Sequence, residues 1–144
     1  VTALITLLGS HRFSLRRETR DRLRLEAASF VSGCEQLFAA STRQQKALFF
    51  HAKAEREDPE KAPGVLAILN RADDEAARAN KQARASRFLL QLVQPRLADA
   101  SDELYDAAMF GTPAGSPEGA TTAHADRFEG ARAELVRQLK ELLR

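Results

Sequence analysis

The chain has 144 residues, 44% of them hydrophobic and 29% charged, with no tryptophan and a single cysteine. That length closes a core without metal or disulfide staples, and the apolar content argues against a disordered chain. Alanine and leucine dominate over valine and isoleucine, which argues against a sheet-rich fold. The formal net charge of +2 is unevenly spread: residues 1–24 carry six arginines against Glu18 and Asp21, and the rest of the chain is net acidic. Such asymmetry points to a membrane surface or a polyanion. Cys34 alone cannot build an intrachain disulfide framework and fits a reducing cytosol.

Residues 1–13 form an apolar and then basic N-terminal segment. Val1–Leu8 (VTALITLL) covers only about 12 Å as a helix, too short to span a ~30 Å hydrocarbon core. Signal peptides carry their positive charges before the apolar stretch, and here they follow it. The order fits the cytoplasmic end of a transmembrane helix, or an ordinary apolar helix start.

Residues 14–144 read as one helical bundle. The first predicted helix runs from about Ser14, a capping residue, to Glu57 before Asp58-Pro59. Leu23, Ala27, Phe30, Cys34, Leu37 and Ser41 alternate by four and three, and the series resumes at Gln45, Leu48 and Ala52. Gly33 within this run suggests close approach by a neighbouring side chain. Residues 58–64 read as a tight connection.

The second predicted helix spans about 64–110. Its seam of Val65, Leu69, Ala72, Ala76, Ala79, Ala83, Ser86, Leu90, Val93, Leu97, Ala100, Leu104 and Ala107 is unbroken, so Pro95 is expected to kink one continuous helix. Gly111-Thr112-Pro113 ends it. Residues 111–119 read as a flexible loop, and Ser116-Pro117-Glu118 starts a third predicted helix at about 117–143.

The expected fold is therefore all-α: a long antiparallel helical hairpin with a third, shorter helix, an up-down-up, coiled-coil-like bundle. Folding about residue ~61 pairs positions whose numbers sum to roughly 122, for straight helices. That register places Leu37, Phe38, Leu48 and Phe49 opposite Ala72–Ala85, and Gly33 opposite Leu89–Leu97. It also sets Arg16–Arg24 beside Asp99, Asp102, Glu103 and Asp106.

No pattern carries enzymatic chemistry. There is no glycine-rich phosphate loop, CxxC, HExxH or ExxH pair, so no catalytic residue, cofactor or metal site is assigned. His51 and Glu55 share a face but two ligands do not make a metal site. His124 reads as a core histidine, and Cys34 as a small buried hydrophobe rather than a reactive thiol. The expectation is a non-enzymatic interaction or scaffold domain.

Two surfaces remain. Near the connection, Leu48, Phe49, Phe50, Val65, Leu66, Ile68 and Leu69 occupy more angle than one seam can bury. They mark a contact surface for a protein partner or a second copy. Arg12, Arg16, Arg17, Arg20 and Arg24 either meet an anionic membrane surface or pair with the acidic run at 99–106. Polyanion or nucleic-acid binding through this cluster is the alternative function. Phe13 is the only aromatic beside the arginines and no helix-turn-helix spacing appears, which disfavours nucleic acid.

Val1–Leu8 followed by Arg12–Val31 resembles the small one-pass membrane proteins of high-GC bacteria, over about a fifth of the chain. The resemblance implies a cytoplasmic helical domain tethered to the inner face of the membrane, and it carries no site residue with it.

Overall fold

A computed structural model describes residues 2–112 and 118–144, with side chains at all of these except 2, 7, 8, 10–13 and 118–121. The fold is all-helical: α1 (Thr2–Glu57), α2 (Ala62–Val93), a short 3-10 turn (Pro95–Leu97), α3 (Ala98–Phe110) and α4 (Glu118–Leu142). Of the loop expected at 111–119, residues 113–117, with the expected cap Ser116, lie outside the described residues, and residues 118 and 119 belong to α4.

Helix α1 starts at Thr2 rather than Ser14. Ser14 sits inside it, and its hydroxyl faces Glu18 at 3.5 Å instead of capping a helix end. Residues 2–13 and the bundle helix are thus one continuous rod of 56 residues, about 84 Å long at 1.5 Å per residue.

The expected antiparallel hairpin of α1 and α2 is present. Its turn is shorter than anticipated, closed by Lys61 N–H to Asp58 C=O at 3.0 Å, and α2 begins at Ala62 with a proline in its first turn. The register differs too. Ser29 meets Ser86 at 3.4 Å, Gln44 donates to Asp73 at 2.8 Å, and Arg43 pairs with Glu75 at 3.5 Å. These pairs sum to 115–118, not 122, because the turn sits earlier and is tighter. Gly33 consequently lies against Ala83 and not against Leu89–Leu97; a Cβ there would stand 3.5 Å from the Ala83 Cα.

The larger difference is at Pro95. The residue before a proline is driven out of the helical region, and Gln94 is extended at φ −143°, ψ 91°. The chain does not merely bend; it reverses. Gln91 reaches Ser101 and Asp102, and Arg87 pairs with Asp102. Tyr105 donates to Asn80, and Thr112 N–H bonds Thr42 Oγ1 at 3.0 Å. Numbers fall along α2 as they rise along α3, so α3 runs antiparallel to α2 and back toward the tip. Helix α4 then descends along α1 and α3. Arg127 pairs with Glu103 at 3.1 Å, Arg132 with Glu35 at 2.8 Å, and Arg20 donates to the Arg144 main-chain oxygen at 2.9 Å.

The lower part is therefore a four-helix, up-down-up-down arrangement. Its core joins Leu23, Phe30, Cys34 and Leu37 of α1 to Leu90, Leu97, Leu104 and Leu135. Phe38 stacks on Phe128 with centroids 4.5 Å apart. Only a small second cluster, Ala47, Leu69 and Ala72, lies nearer the hairpin turn.

Candidate functional site

The α1 seam shows why the tip differs from the base. Leu23, Ala27, Phe30, Cys34, Leu37 and Ser41 are buried, covered by the elements that fold back after Val93. Helix α3 stops at Phe110, and Gly111 is seated against the backbone of Ser41 and Thr42. Beyond that point the same seam continues without its cover. Leu48, one heptad past Ser41 and on the same side, is 51% exposed.

Six of the seven tip residues expected from sequence are open to solvent in some degree. Leu48, Phe49, Phe50, Leu66 and Ile68 are exposed and Val65 is half-buried, whereas Leu69 is buried in the small cluster with Ala47 and Ala72. They do not form one surface. Phe50, Val65 and Ile68 line a groove of about 430 Å³ together with Ala47 and Ala54, and Lys53, Glu57, Asp58 and Lys61 complete its wall. Leu48 and Leu66 lie on the other side: Leu66 stands about four turns from Asn80 on nearly the same face, and Asn80 is the residue that receives the Tyr105 hydroxyl. Phe49 and Phe50 link the two sides, their rings edge to face at 5.6 Å.

Met109 and Phe110 are also exposed, and Met109 lines a small cleft with Leu37, Ser41, Gln44 and Asp73. They form an apolar shoulder below Leu48. Sequence reasoning placed them at the far end of a continuous helix; only the reversal at Pro95 carries them to the tip. Phe88, Leu89 and Leu92 are exposed on α2 as well; they lie off its seam, which is why its spacing does not mark them as a surface.

The arginine segment is not neutralised in the expected way. Asp102 is held by Arg87 and Gln91, and Glu103 by Arg127. Helix α3 runs away from residues 16–24, so the anticipated pairing with Asp99, Asp102, Glu103 and Asp106 does not form. Arg24 pairs with Asp21 of its own helix at 3.1 Å. Arg16, Arg17 and Arg22 are exposed, and among the described residues the segment's one ion pair is that of Arg24 with Asp21. The Arg12 side chain lies outside the described residues.

Cys34 is fully buried, and desolvation pushes its thiol up to about 12, against a smaller opposing effect of Arg87; it is held as the neutral thiol. His51 Nε2 lies 3.6 Å from Glu55, and no group of three or more metal-ligating side chains converges among the described residues. Arg87 lies over the Tyr105 ring at 4.1 Å and ties α3 to α2. No described helix is long and apolar enough to cross a membrane. No protein-family model, characterised protein or solved structure matches this chain.

Proposed function

We propose that this chain is a non-enzymatic helical interaction domain that works beside a membrane and makes its protein contact at the hairpin tip, with a second copy of itself as the partner. The observation that carries this reading is the α1 seam, buried as far as Ser41 and open at Leu48. At the base, two further helices complete a four-helix arrangement around the α1–α2 pair; at the tip, the α1–α2 pair of another copy supplies the missing two. A two-fold axis suits such a pairing, since an isologous contact needs a surface complementary to itself. The tip meets that need, with apolar Leu48, Phe49 and Leu66 exposed on one side, while charges of both signs, Lys53 and Lys61 with Glu57 and Asp58, lie on the groove side near the turn.

Light scattering tests it. The wild type is expected at twice the 15.9 kDa chain mass. Leu48→Glu with Leu66→Glu should weaken association at least a hundredfold, giving a monomer with unchanged helix content. A monomeric wild type, or a double variant that stays dimeric, overturns the proposal. Capture of a different helical protein by a monomeric chain would assign the tip to that partner instead.

A further inference from the structure

The stretch of α1 before Leu23 is left without cover by the fold. Because the chain reverses at Pro95, α2 ends near the level of Leu23, and α1 continues for about twenty residues, roughly 30 Å. Every side chain from Ser14 to Arg22 is exposed. Leu4 and Leu15, 68% and 48% exposed, stand eleven residues apart, close to three turns, and so share one side of the arm. Ile5 and Arg16 lie together on one flank of that line, Arg20 a little further round, and Arg22 falls back on the line two turns beyond Leu15. Apolar Leu4, Ile5 and Leu15 thus share one arc with Arg16 and Arg22, which make no ion pair among the described residues, while Arg20 at its edge donates to the Arg144 main-chain oxygen.

We infer that this arm lies along the surface of an anionic lipid bilayer. Leu4, Ile5 and Leu15 enter the boundary between headgroups and acyl chains, while Arg16 and Arg22 reach lipid phosphates beside them. Arg17, on the outer side, adds to the attraction within a Debye length. An amphipathic helix with a basic flank binds an interface by this combination of apolar burial and charge. The mixed arc decides the occupant: a nucleic-acid backbone satisfies the arginines but gives the leucines no apolar seat. Among the described residues Arg16, Arg17 and Arg22 make no ion pair, which leaves their positive field free to act. The inference rests on the membrane-proximal part of the proposed function and is independent of the tip.

Flotation of the full chain with vesicles tests it. The chain should float with phosphatidylcholine vesicles containing phosphatidylserine and not with phosphatidylcholine alone. Each arginine near an anionic surface is worth about a fivefold change in partition, so Arg16→Gln, Arg17→Gln and Arg22→Gln together should lower binding by on the order of a hundredfold. Leu4→Ser with Leu15→Ser should lower it further while circular dichroism stays helical. Equal flotation with both vesicle types, or no flotation with either, overturns the inference. So does a serine variant that binds vesicles and duplex DNA as well as the wild type, which would make the arm a general polyanion site. Light scattering on the tip variants is unaffected by any of these results, so the two parts fail separately.

Discussion

Gly33, inside the first predicted helix, and Gly111, at the end of the second, both lie against another backbone, and only one of them needs to be glycine. Gly111 has φ +55°, and a Cβ there would stand 2.7 Å from the Thr42 amide nitrogen. Left-handed strain costs about 1–3 kcal/mol for a residue with a side chain, and crowding a packed backbone costs about as much again. Gly111→Ala should therefore destabilise the fold by about 3 kcal/mol or more, read from urea melts. Gly33→Ala should be neutral or stabilise by up to about 1 kcal/mol, because alanine is the better helix former and its methyl would make ordinary contact with Ala83. The expected close approach is real but does not demand glycine. Equal losses in both variants would contradict this reading.

Cys34 gives a pH prediction at the same scale. Burial moves its thiol from the ordinary 9.0 to about 12. Below pH 9 both folded and unfolded chains hold the proton, and Cys34 contributes no pH dependence. Above it the unfolded thiol ionises first, so the unfolded state binds fewer protons and stability falls until the folded thiol also titrates. Cys34→Ala should flatten this loss between about pH 9 and 11, at the expense of a packing loss of about 1–2 kcal/mol at neutral pH. An unchanged slope would show that the thiol is not the group responsible.

Among the elements, the break after Val93 matters most. The thirteen-position seam through Pro95 is genuine, since Leu90, Leu97, Ala100, Leu104 and Ala107 are all buried. Periodicity reports which side of a helix is buried and is silent on whether the helix continues straight or folds back on the same core. That is why a continuous helix was expected. Gln91 secures the reversal, its amide donating to Ser101 Oγ and Asp102 Oδ1, each at 2.8 Å. Buried Ser101 keeps its own bond to the Ala98 carbonyl at 2.9 Å, so losing the Gln91 bonds costs about 0.5–1.5 kcal/mol each rather than the penalty of an unpaired buried group. Gln91→Ala should loosen α3, raising hydrogen exchange at residues 98–110 more than at residues 24–40. Uniform exchange would mean that packing alone holds the corner.

At the scale of the molecule, one reversal determines both candidate surfaces. It shortens the bundle, which leaves the N-terminal part of α1 as an arm, and it lifts Met109 and Phe110 to the underside of the tip. Of the tip residues, Leu48, Phe49, Phe50, Leu66 and Ile68 were legible because neighbouring apolar positions on one helix point about 100° apart and cannot all be buried. Leu69 was not separable from them, since its burial depends on Ala47 and Ala72 lying opposite. The arginines were legible as a cluster, but their freedom was not. Whether Asp102 and Glu103 face them or face Arg87 and Arg127 follows from the direction of α3.

The helical class, the long antiparallel hairpin, a disturbance at Pro95 and the excess of apolar residues near the turn are legible in the sequence. These follow from local spacing, proline chemistry and composition, which act over a few residues. The tertiary structure alone decided the register, the four-helix base, the partners of the acidic run and the exposure of the arm. The physical reason is that a helix seam can be buried equally well by elements running in either direction. The choice falls to contacts made across the corner at Gln91 and at the seat of Gly111, between residues far apart in the chain.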